Sequence, residues 1–408
     1  VKTSAKSSVF NAAVIVAALG YFVDIYDLIL FGIVKDPSLI DIGVQEADLF
    51  STGNHLLNMQ MIGMLVGGII WGILGDKHGR LSTLFLTILL YSLANIANGL
   101  VQTVEQYAVL RFTAGVGLAG ELGVGITLVS EVMTKESRGL GTTLVSAIGI
   151  AGAVLGFLIA DQFNWRVAYY AGGGLGLLLL VLRISVYESG MFEKTKQEQI
   201  KRGDFISLFT NAQRFRKYMF CILVGIPVWY IISQLAINAS TYAKEALSIE
   251  GAVRGAKAVM LHYIGASVGS LVMGITSEKL RSRKRALYIT VSAITVFTAA
   301  YFLMRGAEAV TFYIVITLLG FFMGGLWAVF MTSTSEQFGT NIRATVTTTA
   351  PNFVRGTTVL VNSLVGVLKP AMGLWSAGVV VGALCIALSF IAINRSQETY
   401  GKDLDYNE

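Results

Sequence analysis

Gly72-Ile73-Leu74-Gly75-Asp76-Lys77-His78-Gly79-Arg80 is the stretch whose reading decides the fold. It ends one long apolar run and opens the next, and it gathers a carboxylate, two cations and three glycines within one short connection. A second copy, Gly274-Ile275-Thr276-Ser277-Glu278-Lys279, follows at an offset of 202, again with basic residues behind it. A further match is cleaner. Ser130-Glu131 and Arg138 correspond to Ser335-Glu336 and Arg343 at an offset of 205, and Gly115 and Gly120 correspond to Gly320 and Gly325 at the same offset. Charged residues that repeat at a shared offset argue for internal duplication rather than chance among glycine-rich apolar segments.

Outward from that connection the chain is 54% hydrophobic and 14% charged over 408 residues, with a mean hydropathy of +0.66. Ordinary globular chains carry about a quarter charged residues, so a water-soluble fold is not expected. The 44 glycines against four prolines suit closely packed membrane helices, in which small residues let backbones approach. A bilayer core takes about 20 mostly apolar residues per helix. On that basis the chain divides into spans near 10–34, 51–74, 81–101, 106–132, 138–163 and 165–187, then 215–241, 255–279, 284–304, 309–336, 342–368 and 370–394. The first run follows Lys2 and Lys6 but is too long for a signal peptide, carries Asp24 and Asp27, and lacks a small-residue cleavage site.

Positive charge sets the orientation. Lys77/Arg80, Lys135/Arg138, Lys194 through Lys217, Lys279 through Arg285, and Arg343 all fall in even-numbered connections, which are therefore expected on the cytoplasmic side. The first outer loop reads as Asp36, Asp41, Glu46 and Asp48 with Lys35, so both termini are expected inside the cell. The expected organisation is an N-terminal six-helix bundle over 1–187, a cytoplasmic linker with amphipathic helix over 188–214, and a C-terminal six-helix bundle with a short tail over 215–408.

These residues resemble the major facilitator superfamily. The connection at 72–80 looks like that superfamily's signature cytoplasmic loop, and the 274–285 copy sits where the superfamily repeats it. Arg111 through Glu121, Asn164-Trp165-Arg166, Tyr187-Glu188-Ser189 and Glu336 through Arg343 extend the resemblance over nearly the whole chain. It is closest to the metabolite:proton symporters, among them the aromatic-acid, lactate/sialate and organic-ion branches. Leu81 stands where a second basic residue is usual, and the second copy has Glu278 for Asp and lacks the inner glycine. The resemblance implies an all-α membrane protein of the major facilitator fold, with twelve transmembrane helices in two six-helix bundles. It also implies a cytoplasmic gate built from Gly72, Asp76, Lys77, Gly79 and Arg80, with Glu131, Arg138, Glu278, Lys279, Glu336 and Arg343 as further members.

Ionisable residues within spans cost at least about 2.5–3.5 kcal/mol each near the centre and usually face a cavity or a partner. Span 1 carries Asp24 and Asp27, three residues apart and so on roughly one helical face. Span 4 carries Arg111 and Glu121, and span 11 carries Arg355. Pairing of Asp27 with Arg111 is expected to convert conformation into proton affinity. The resemblance supports this, since proton-coupled members oppose a span-1 Asp with a span-4 Arg; the usual glycine between the two acids is Ile25 here. A permanent ion pair that only fastens spans 1 and 4 is the alternative. Asp24 and Glu121 are further proton-coupling candidates. Arg355 is the expected substrate contact, a guanidinium fork suited to a carboxylate, against the alternative of pairing with one of the in-span acids. Tyr26, Trp229, Tyr230, Gln234, Asn238, Trp327 and Asn352 are candidate chamber residues, and His262 reads as a packing or interfacial residue.

The pattern Gly115-Val116-Gly117-Leu118-Ala119-Gly120 matches a dinucleotide fingerprint but lies inside an apolar helix rather than at a strand-to-helix turn. No G-x-x-x-x-G-K-[ST] sequence is present, which points to an ion gradient, not ATP, as the driver. Cys221 and Cys385 lie alone, with neither metal-ligand nor disulfide spacing. The net charge of +6 is dispersed through the loops as topology signals are, which argues against nucleic acid. No nucleophile–base set appears, so an enzyme is not expected. The expected function is secondary active transport by alternating access in a bacterial inner membrane: a monomer, without cofactor or metal, symporting a small organic carboxylate with protons. A proton-driven exporter, or a carrier of organic cations or zwitterions, is the alternative.

Overall fold

The computed structural model describes residues 12–78, 80–120, 138–188, 205 and 207–402. Apolar runs with no exposed backbone partner fold as helices because hydrocarbon leaves N–H and C=O groups nothing but each other to bond. In chain order these are α1 (Ala12–Asp41), α2 (Leu49–His78), α3 (Arg80–Asn98), α4 (Val104–Leu118), α5 in two pieces (Arg138–Ile150 and Gly152–Gln162) and α6 (Trp165–Glu188). After a short turn at Ser207–Thr210 come α7 (Ala212–Tyr230), α8 (Gly255–Lys279), α9 (Arg283–Leu303) and α10 (Ala309–Gln337). A continuous stretch, Thr340–Arg395, is two helices divided at Gly373, where φ is 78°, a conformation only glycine adopts without strain. They are α11 (340–372) and α12 (374–395).

Seven helical stretches among the described residues are long and apolar enough to cross a membrane by length and composition. The others follow the remaining expected spans in order. Two boundaries differ from expectation. α1 runs on to Asp41 through Pro37, so Lys35 and Asp36 belong to the helix and not to a loop. α7 continues past Tyr230 through two π-helical turns, Ile231–Ala236 and Tyr242–Ala246, of the kind that concentrate at functional sites.

Within the first half α2 packs on α4, and α3 packs on α4 and α6. Within the second half α8 packs on α10, and α9 beside it. Both close pairs use the same device. A Cβ on Gly63, Gly67 or Gly115 would strike the backbone carbonyls of Phe112, Val116 and Gln60, and a Cβ on Gly265, Gly269, Gly320 or Gly324 would strike those of Thr317, Phe321, His262 and Ala266. Gly265 and Gly269 stand 202 residues after Gly63 and Gly67, the offset of the duplicated connection. Gly120 and Gly325, matched at 205, each face a threonine of the preceding helix, Thr87 and Thr290. Large apolar side chains such as Leu93, Val181, Val296 and Val367 are exposed, as hydrocarbon requires.

The halves meet along α2 with α11 and α5 with α8, with α1 also touching α8. That seam carries the buried charges of Asp24, Lys35 and Arg355.

Candidate functional site

The centre of the seam is built on α1, α10 and α11. Asp24 of α1 and Arg355 of α11 are both fully buried, and Arg355 Nη2 lies 3.6 Å from Asp24 Oδ2. Arg355 Nη1 donates to Asn352 Oδ1 at 3.3 Å, while Nε and Nη2 close no hydrogen bond. Its guanidinium stands 5.9 Å from the Trp327 ring centroid, and the Trp327 indole N–H donates to Tyr21 Oη at 2.8 Å. Tyr263 of α8 lies within electrostatic reach of Tyr21 and Arg355. Asn352 also ties the halves together, donating to the carbonyl of Ala119 at 2.8 Å. The cluster joins α1 of one half to α8, α10 and α11 of the other, so any rocking of one half on the other alters it.

Asp27, three residues further on, is turned about 60° from Asp24 around the helix axis. It points into the first half toward Asn95 and Arg111, and a Cβ on Gly172 would strike it. The expected ion pair with Arg111 is not closed: neither Asp27 oxygen and no Arg111 nitrogen makes a hydrogen bond. Arg111 is instead held between rings, 5.5 Å from the Phe31 centroid and 5.8 Å from that of Tyr169. Tyr107 and Tyr169 share a 2.6 Å hydrogen bond beside it. The two acids are thus close enough for their charges to interact yet reach different arginines.

A second layer joins the halves at the end of the bundle that bears residues 41–48. Lys35, only 1% exposed, donates to Asn238 Oδ1 at 2.8 Å and sits 3.3 Å from Asp36. Asn238 Nδ2 donates to Asn54 Oδ1 at 2.9 Å, and Ser240 donates to Asp36 at 2.9 Å. Asn362 donates to Asn58 at 2.8 Å and accepts from Gln234 at 2.6 Å. Arg254 pairs with Asp161 at 2.7 Å. Gln234 and Asn238, expected in a substrate chamber, are spent on this closure. Lys35, Asn54, Asn58 and Asn362 were not singled out in the sequence, because short polar residues near helix ends look like ordinary interfacial ones until the opposite half is in place.

At the opposite end, the second-half copy of the loop forms a charge cluster. Arg283 donates through Nε and Nη2 to Glu336 at 3.1 and 3.0 Å, and its Nη1 lies 2.7 Å from Glu278. Glu336 also accepts from Thr399 at 2.9 Å. The cation of this cluster is thus Arg283. Lys279 is exposed, and Arg343 donates through Nε to the carbonyls of Ser335 and Phe338. Glu398, from the tail after α12, caps the start of α9 by accepting from Ser282 Oγ and from the N–H groups of Arg283 and Lys284. Burial works against its charge, but these donors hold the carboxyl below the ordinary value of 4.5. In the first-half copy, Gly72, Asp76 and Lys77 close α2 and Arg80 and Arg138 open α3 and α5; their side chains, and residues Gly79, Glu121 and Glu131, lie outside the described residues.

Two further candidates are packing residues. Tyr26 donates to the carbonyl of Ala168 at 2.8 Å inside the first half, and Tyr230 donates to that of Gly378 at 2.8 Å inside the second. Trp229 is buried with its indole N–H unpartnered, which leaves it a donor for a guest. His262 is buried with Nδ1 against the Ile316 carbonyl at 3.3 Å, in keeping with a packing role. Among the described residues no group of His, Cys, Asp and Glu is placed to hold a metal.

Comparison with known proteins places this geometry. The chain is 26% identical over 398 residues to a "Probable 4-methylmuconolactone transporter" of Cupriavidus pinatubonensis, covering 92% of this chain and 86% of the other. It is 24% identical over 429 residues to the niacin transporter NiaP of Acinetobacter baylyi, covering 96% and 94%. The fold matches that of the proton:xylose symporter XylE bound to 6-bromo-6-deoxy-D-glucose, with a TM-score of 0.68 at 18% identity over 96% of this chain and 97% of that one. The family model for the Major Facilitator Superfamily matches residues 17–356. A helical membrane transporter, not an enzyme, accounts for sequence and fold together, and the chain belongs to the Major Facilitator Superfamily.

Proposed function

We propose that this transporter carries a small organic carboxylate together with protons by alternating access. The observation that carries the reading is Arg355: a guanidinium buried between the halves, beside the aromatic face of Trp327, with donors on Nε and Nη2 not used in hydrogen bonds. A buried cation with idle donors is costly unless a partner arrives to complete it, and a carboxylate accepts from the guanidinium fork two bonds at a time. Relatives named for 4-methylmuconolactone and niacin transport support a small organic solute.

Asp27 carries a transported proton in this reading and Arg111 tunes it. Arg111 lies close enough to Asp27 for its charge to matter, yet leaves the pair open to change with conformation. The termini lie in the cytoplasm of a bacterial cell, the layer at Lys35 and Asn238 closes the outer side, and the loops at 72–80 and 278–283 with Glu336 form the inner gate. The working unit is a monomer in the inner membrane, and the proton gradient replaces any cofactor.

Proteoliposomes test this with labelled nicotinate and benzoate under pH gradients of either sign. An acid exterior should drive accumulation above equilibrium, and Arg355→Gln should abolish it. Accumulation only with the opposite gradient would make the protein an exporter, and uptake undiminished in Arg355→Gln would move the anion site elsewhere.

A further inference from the structure

We propose that Asp24 is a built-in stand-in for the substrate's carboxylate: it holds Arg355 in the empty chamber, the incoming anion displaces it, and the freed side chain takes up a proton. This rests on the reading of Arg355 as the anion site.

The pair itself motivates it. Asp24 and Arg355 come from opposite halves, both fully buried, and their closest nitrogen–oxygen approach is 3.6 Å, beyond hydrogen-bond distance. Arginine–carboxylate bonds in good geometry run at about 2.7–2.9 Å and are often bidentate. The contrast with Arg283 and Glu336 in the same molecule is direct, since that pair closes two bonds at 3.1 and 3.0 Å. Arg355 is thus neutralised in charge while Nε and Nη2 stay outside any hydrogen bond. A carboxylate that can move freely has the geometry to take both, which Asp24, tethered to α1, does not do.

Charge then links the anion to the proton. Among the described residues the pair at the seam sets one cation, Arg355, against one anion, Asp24; a guest carboxylate on Arg355 would leave a surplus negative charge in a medium that screens poorly. Protonating Asp24 restores neutrality. The proton comes from water on the side the chamber faces, resides on an Asp24 oxygen as a carboxylic acid, and returns to water when the anion leaves and Asp24 re-engages. The guanidinium keeps its proton throughout. Other titratable groups around α1 stand as follows. Tyr21 and, from α8, Tyr263 lie near the pair; Asp27 on α1 is within electrostatic reach of Asp24 and is faced in turn by Arg111 from α4, with Tyr107 from α4 and Tyr169 from α6 beside that arginine.

The exchange differs in its consequences from a fixed structural ion pair, which would lose binding when broken. Asp24→Asn removes the competing charge, so benzoate should bind the variant more tightly than wild type. With wild type, benzoate affinity should weaken about tenfold per pH unit over roughly pH 6 to 8, since one proton is taken up per anion; with Asp24→Asn it should be flat. Both are read by calorimetry or thermal shift on the purified full chain, with benzamide as the uncharged control. Flat benzoate binding by wild type overturns the proposal without recourse to any variant. So does a wild-type pH slope in Asp24→Asn, or the absence of a benzoate response in it. Arg355→Gln separates the two levels: benzoate binding that survives there sinks the anion-site reading itself, whereas its loss there, with a pH slope retained in Asp24→Asn, sinks only the exchange.

Discussion

Three positions separate Asp24 from Asp27, and that spacing sets the two carboxylates against different arginines. Asp24 faces Arg355 across the seam, and Asp27 faces Arg111 within the first half. Asp27→Asn should therefore lower the accumulation that a given pH gradient supports, leaving only the proton on Asp24 coupled, while exchange of labelled for unlabelled solute stays intact, as counterflow in proteoliposomes would show; undiminished accumulation would remove Asp27 from the coupling path. The acids and arginines were legible in the sequence because charge inside an apolar run is conspicuous. Their partners were not, because helical periodicity fixes an angle around one axis and says nothing of which neighbour lies there. Lys35 was misplaced for a related reason. A lysine followed by Asp36-Pro37 reads as a loop, whereas the helix carries on to Asp41 and buries the amine against Asn238.

At the scale of elements, the pairs α2–α4 and α8–α10 are set by backbone contact at glycine. Gly320→Val should push α10 off the His262 carbonyl, at about 1–3 kcal/mol if the helices yield as overpacked cores do; a loss of several degrees in thermal stability would be seen, while the exposed Gly306 loop should tolerate alanine better despite its positive φ of 71°. The tail after α12 is a second element with a definite energetic role. Glu398 is held below the usual carboxylate range, so its docking contributes stability above about pH 4.5 that is lost as pH falls through the depressed value. Amide protection over 396–402, taken relative to the intrinsic exchange rate at each pH, should accordingly be high near neutral pH and lost in strong acid, and low at both in Glu398→Gln; protection unaltered by the substitution would show that the cap does not hold the tail. Span positions were readable from hydropathy to within a few residues. The break between α11 and α12 was not, since Pro370 draws attention although Gly373 makes the turn.

For the whole molecule, the duplicated connection and the paired glycines carried the fold, and the sequence contained both. The layer between Lys35, Asn54 and Asn58 on one half and Asn238, Ser240 and Asn362 on the other was invisible there, because no spacing rule links residues some 200 positions apart. It is this layer that makes alternating access a concrete claim: it must part for the outer side to open. The most direct measurement is a reversible cross-link across it. Asp36 and Ser240 touch at 2.9 Å, and the native Cys221 and Cys385 are both buried and do not interfere. With Asp36→Cys and Ser240→Cys combined, oxidation should stop uptake in proteoliposomes and reduction should restore it, each single variant being insensitive to both treatments. Full uptake by the quantitatively cross-linked protein would contradict the account, since the halves would then carry solute without moving apart.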